Sequence, residues 1–268
     1  MSQSSDRFTV LRAVDRIWAI GAIHGDIDAL TQIHDRIVAD TRQGDRIVYL
    51  GNYFGYGVQG PGVLEELLSF RRWFLSFYPY RHVDDIVFLR GAQEEMWWKL
   101  MQLQFAPNPR AILSWMGERG IAAQLAGLGF DLEDGLKKAE EGTLALTYWT
   151  NKLRETARAL PGHDALMNAI KRAAYTEDGS LLFVHAGLDI EKPLARQTDA
   201  FWWASRSFEE IDQPYRGFRR VVRGFDPKAG GIVEGKHTLS LDAGAGRGGQ
   251  LAAVLLSAEG DILEHLLV

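Results

Sequence analysis

Two histidines stand where a strand would hand over to a loop: His24 in Gly21-Ala22-Ile23-His24-Gly25, and His185 in Phe183-Val184-His185-Ala186-Gly187. An imidazole at such a place can hold a metal or move a proton. Near them in pattern lie Asn52, in the glycine-bounded loop Gly51 to Gly57, then Gln93 and Glu94 after Arg90-Gly91-Ala92, and Gly224-Phe225-Asp226-Pro227. Arg206 has the planar fork that suits an oxyanion, or a surface carboxylate equally well. Asp26 and Asp226 are possible metal ligands, although Asp26, just ahead of a helical pattern, also suits an N-cap. Glu94 opens a helical stretch and complements its dipole. Cysteine is absent, so any metal would rest on His, Asn, Asp or Glu.

These residues need elements to hold them. Ile17–Ile20, Ile47–Leu50 and Ile86–Leu89 are short apolar runs, each ending in a glycine-containing loop and followed by helical spacing, as at Ile27, Leu30, Ile33 and Ile37. Alternating strands and helices predict an α/β fold with functional groups on the loops after the strands. From about 96 to 174 the pattern is helical, broken by prolines and glycines, and reads as a cap or insert within one domain spanning 1–268. Leu181–Val184 predicts a further strand. The glycine-rich stretch Asp242–Gly249 reads as a hairpin turn rather than a phosphate loop, because a strand-like run and not a helix follows it.

In order and context these blocks resemble the calcineurin-like metallophosphoesterases of the bacterial serine/threonine phosphatase type, whose patterns are GDxHG, GDxxDRG, GNHE, FVHAG, WxR, VVxGHTP and LDTGAxxGGxL. The resemblance runs from about Ile17 to Leu256. It implies two mixed sheets packed as a sandwich and flanked by helices, an α/β/β/α arrangement of four layers. It also implies two divalent metals about 3.5–4 Å apart that activate a shared water.

Carried over position by position, the resemblance implies a damaged site. The first metal's Asp is Ala22, the bridging Asp is Asn52, and the Asp and Arg after it are Gly55 and Tyr56. The Asn ligand is Ala92, the general-acid His is Gln93, and the last His ligand is Phe225. His24, His185 and a neutral Asn52 remain as a remnant metal set, with Asp26 and Asp226 as possible substitutes and Arg206 as the phosphate-binding position. Two dications that close repel by about 18 kcal/mol even at an effective dielectric near 20, so a pocket without carboxylates should not assemble the pair. The expectation is no cofactor, or at most one weakly bound Mn, Zn or Fe. Tyr53, Phe54, Tyr56 and Phe225 should ring the former site, and His163, in a cap segment similar to the family's PxxH stretch, should serve a loop or packing role.

The functional expectation is a pseudophosphatase that binds a protein partner or a phosphorylated ligand; the alternatives are a residual phosphoesterase with one rearranged metal and a nucleotide or polyphosphate binder using Arg206. With 35 acidic residues against 30 basic ones and a net charge of -5, nothing presents a basic face to nucleic acid. No apolar run reaches the length of a membrane span. The absence of cysteine suits a reducing cytoplasm.

Overall fold

The computed structural model of the chain describes residues 7–203 and 208–268. Among these residues the strands are Phe8–Leu11 (β1), Arg16–Ile20 (β2), Asp45–Tyr49 (β3), Ile86–Phe88 (β4), Ala173–Thr176 (β5), Leu181–Val184 (β6), Arg220–Arg223 (β7), Gly231–Glu234 (β8), Thr238–Asp242 (β9), Ala252–Ser257 (β10) and Ile262–Leu267 (β11). They form two mixed sheets, in the orders β11-β10-β2-β3-β4 and β1-β5-β6-β7-β9-β8. In the first, β2, β3 and β4 run parallel while β10 and β11 are antiparallel. The fold is the α/β sandwich that the sequence predicts.

Burial on both faces explains why the central strands read as continuous apolar runs rather than alternations. Ile17, Ala19, Val48 and Leu50 point between the sheets and meet Phe183, Val222 and Leu241. Trp18, Ile20, Ile47 and Tyr49 point outward to helices Ile27–Asp40 (α1) and Gly60–Leu75 (α2). The outer face of the second sheet is covered by the segment after His185, through Leu188, Phe201, Trp202 and Phe208.

Helices Ala92–Leu100 (α3), Pro109–Met116 (α4), Ala122–Gly127 (α5), Leu132–Glu141 (α6), Thr143–Ala159 (α7) and His163–Ala169 (α8) follow β4. They share an apolar cluster built on Trp97, Leu113, Leu125, Leu146 and Leu153. Pro109, read as a break, sits in the first turn of α4 behind the Asn108 cap, where its missing N–H costs nothing. Two corrections to the sequence reading arise here. The helical stretch ends before 174, because β5 begins at Ala173 and pairs in parallel with β1. The Asp242–Gly249 turn closes on an antiparallel bridge between Ala243 and Gln250, but the strands that it joins lie in different sheets, β9 in one and β10 in the other. No helix among the described residues is long and apolar enough to cross a membrane.

Candidate functional site

The loops after β2, β3, β4, β6 and β7 meet at one end of the sandwich. Ala22 N donates to Gly224 O at 3.0 Å, and the N–H groups of Gly224 and Phe225 both donate to His185 O at 2.9 Å. The fully buried Glu94 fastens two further loops, accepting from the N–H groups of Gly91 at 2.8 Å, Asn52 at 2.9 Å and Tyr53 at 2.9 Å. Burial raises its pKa, and those backbone donors oppose the rise. Glu94 therefore acts as a clamp between the β3 and β4 loops.

Asn52 adopts a left-handed backbone, φ +55°, which Asn tolerates better than most residues. Its Oδ1 accepts from Gln93 N at 2.9 Å, which turns its amide nitrogen toward His24 Nε2 at 3.3 Å. One of the two lone pairs on the Asn52 oxygen is thus used at the start of α3. With Nε2 facing an N–H donor, His24 carries its proton on Nδ1, and that atom is buried without a hydrogen bond. Burial, then the positive charge of Arg247 and the nearby His185, lower its pKa to about 3.

His185 donates from Nδ1 to Leu50 O at 2.6 Å. Its Nε2 is consequently a bare lone pair, buried and unpartnered, and burial lowers its pKa to about 4. Both imidazoles are neutral near pH 7.

Aromatic rings cover them. Phe225 stacks on His185 with centroids 5.5 Å apart and presents an edge to His24 at 6.2 Å, while Tyr56 tilts over His24 at 4.9 Å. The Arg247 guanidinium lies 5.6 Å from the Tyr56 ring centre and 5.7 Å from that of Phe225, and pairs with the buried Asp242 at 3.1 Å. A fixed cation thus stands in the same corner as the two histidines.

The Gly55 backbone is set at φ +137°, and a Cβ there would come within 2.6 Å of His24 Nδ1. Gln93, beside it, donates from Nε2 to Arg119 O at 2.6 Å, while its Oε1 is buried and unpartnered. Asn52, Tyr56, Ala92, Gln93 and Phe225 line a cleft of about 280 Å³ that Trp115 and Arg119 close from the helical side.

Other residues singled out in the sequence lie elsewhere. Asp26 is the N-cap of α1, accepting from Ala29 N at 3.0 Å. Asp226 accepts from Arg223 Nη2 at 2.6 Å and from Lys228 N at 3.0 Å, so each of these carboxylates has a structural role. Arg206 lies outside the described residues. Tyr53 and Phe54 do not ring the site: both pack into the core against the helices, and the Tyr53 hydroxyl donates to Leu89 O at 2.7 Å. Sequence reasoning gave no role to Arg247, Trp115 or Arg119. Arg247 falls on an unspecified position of its block, and the other two come from the helical stretch, where periodicity marks packing and not proximity to a distant loop.

These residues do not fit a two-metal centre. Among the described residues no group of three or more His, Asp or Glu side chains converges. What converges instead is two neutral imidazoles, an amide whose oxygen is engaged, two aromatic rings and a guanidinium. The Asp242 carboxylate beside this corner is already paired with Arg247, and a dication would meet that guanidinium as a like charge.

No family model and no curated protein matches the sequence. Solved structures do. One described as a diadenosine tetraphosphatase is 17% identical with TM-score 0.58, the match covering 98% of each chain. A cold-active protein tyrosine phosphatase is 13% identical with TM-score 0.55, covering 99% of this chain and 83% of that one. The cold-active protein-tyrosine phosphatase of a psychrophilic Shewanella is 13% identical with TM-score 0.50, covering 96% and 83%. The chain has the calcineurin-like, metallo-dependent phosphatase fold.

Proposed function

We propose that this chain acts by binding rather than by hydrolysis: a pseudophosphatase that takes a protein partner or a phosphorylated ligand at the cleft between its β3, β4 and β7 loops and the helical segment. One observation carries the reading. Phe225, Tyr56 and the Arg247 guanidinium pack around His24 and His185, in the place that metals and their carboxylates would need. The cleft beside them is aromatic, with Tyr56, Trp115, Trp203 and Phe225 on its walls, a lining that favours capture of an apolar or aromatic group over coordination of an ion.

The test is turnover of an aryl phosphate and a phosphopeptide by the purified protein supplied with manganese. The reading predicts no activity that depends on His24 or His185; activity abolished by His24→Asn or His185→Gln overturns it. A rival reading, a residual phosphoesterase with a single metal, draws on the bare, unpartnered lone pair of His185 Nε2. Elemental analysis separates the two: near-stoichiometric transition metal after purification without added metal favours the rival.

A further inference from the structure

A second cavity, of about 290 Å³, opens between α3, α7 and α8, and it shares no lining residue with the cleft. Its lining joins cations to flat aromatic surface: Arg90, Arg154 and Arg158 with Trp97 and Trp98. Trp98 is 55% exposed, whereas Trp97 beside it is buried. The Arg90 guanidinium lies 5.9 Å from the Trp98 ring centre, so a cation already borders the open ring.

The state of the arginines matters more than their number. Arg154 uses one N–H on Asn151 Oδ1 at 2.6 Å and one on Met101 O at 2.7 Å. Neither partner is charged, and a guanidinium has five N–H groups to offer. Arg158 reaches Asp164 only at 3.7 Å, with both side chains well exposed, a pair of little strength. Arg90 is paired with Glu95 at 3.3 Å. The other carboxylate in the lining, Glu94, has its oxygens on three backbone N–H groups. Positive charge facing this cavity is therefore incompletely answered from within the chain.

We propose that this cavity binds a nucleoside monophosphate, with the base stacked on Trp98 and the phosphate held by Arg154 and Arg158. Guanidinium forks match phosphate oxygens in pairs, and a base of any identity has a face to lay on indole. His163, whose Nδ1 is on Asp164 Oδ1 at 3.1 Å, and Asn168, both in the lining, supply one ring nitrogen, Nε2, and an amide that can read a base edge. The volume is at the lower end of small-molecule sites, which suits one nucleotide and not a dinucleotide.

The experiment is a titration of the full chain, at low salt and without metal, with AMP, GMP, CMP and UMP, followed by tryptophan fluorescence and calorimetry. Adenosine, inorganic phosphate and phenyl phosphate are the controls. The expected result is saturable quenching by at least one monophosphate, weakened by about tenfold or more in Arg158→Gln and Trp98→Ala and unchanged in Phe225→Ala. Arg158 and Trp98 are exposed, so their variants keep the fold; Arg154→Met serves as a third, with its melting temperature checked. Three results overturn the proposal: no saturation by any of the four up to about 10 mM, binding insensitive to Arg158→Gln and Trp98→Ala, or phosphate or phenyl phosphate binding as tightly as the best nucleotide. Phe225→Ala leaves this cavity intact, so its outcome bears on the cleft alone.

Discussion

The Phe225 ring lies nearly parallel to the His185 imidazole, 11° between planes, and shields a nitrogen lone pair that no group of the chain engages. Replacing the ring with ligands should reverse this. In the triple variant Ala22→Asp, Asn52→Asp, Phe225→His, two buried carboxylates lack a countercharge of their own, so the metal-free form should lose about 3 kcal/mol or more. Added manganese should recover much of that loss and leave the melting temperature of the parent chain unchanged. Thermal melts with and without manganese check both halves.

Gly55 should tolerate no side chain. Both Gly55→Ala and Gly55→Asp place a Cβ within 2.6 Å of His24 Nδ1 on a backbone at φ +137°, and each should cost about 2 kcal/mol or more. Urea unfolding midpoints give the measurement. Returning an acid to this position therefore weakens the fold before it can supply any chemistry.

Glu94→Gln should be costly although it changes no volume. One end of the amide becomes a donor facing backbone N–H groups that now point at a carboxylate oxygen, and bonds to a charged acceptor contribute about 1.5–3 kcal/mol each. The expected outcome is a loss of at least about 2 kcal/mol, together with faster hydrogen exchange at the amides of Asn52 and Tyr53.

Acid should destabilise the protein through His24 and His185. Their folded pKa values, about 3 and about 4 against 6.5 ordinarily, mean that the unfolded chain binds more protons in the interval between. Stability from these groups is full above about pH 6.5 and falls as pH drops toward 4 and then 3, by about 1.4 kcal/mol per pH unit for each histidine. His24→Asn, whose residue accepts the left-handed backbone at φ +53°, should remove one proton's share of that slope. Unfolding midpoints across pH 5 to 7 decide it, and a slope identical in parent and variant contradicts the expectation.

The strand-loop-helix units around His24, Asn52 and Gln93 were legible because strands buried on both faces leave uninterrupted apolar runs, and glycine spacing marks where they end. β1 and β5 were not: their sequences, FTVL and AAYT, are less continuously apolar than those of β4 and β6, and they pair with each other at the sheet's edge. The inward turn of Tyr53 and Phe54 was hidden for another reason: Glu94 grips the backbone of that loop and aims its side chains, and nothing local to the loop reveals it. Arg247 illustrates the same limit at longer range. Its contacts with Tyr56 and Phe225 depend on the Asp242–Gly249 turn crossing from one sheet to the other, and spacing within the turn carries no trace of where it lands.

The grip of Glu94 on two loops has a mechanical consequence for whatever enters the cleft. Asn52 sits on one loop and Gln93 on the next, and the shared carboxylate leaves neither free to shift alone. A guest meets a floor already in its final shape, so little of its contact energy is lost to ordering that surface, and recognition is set by fit at first encounter.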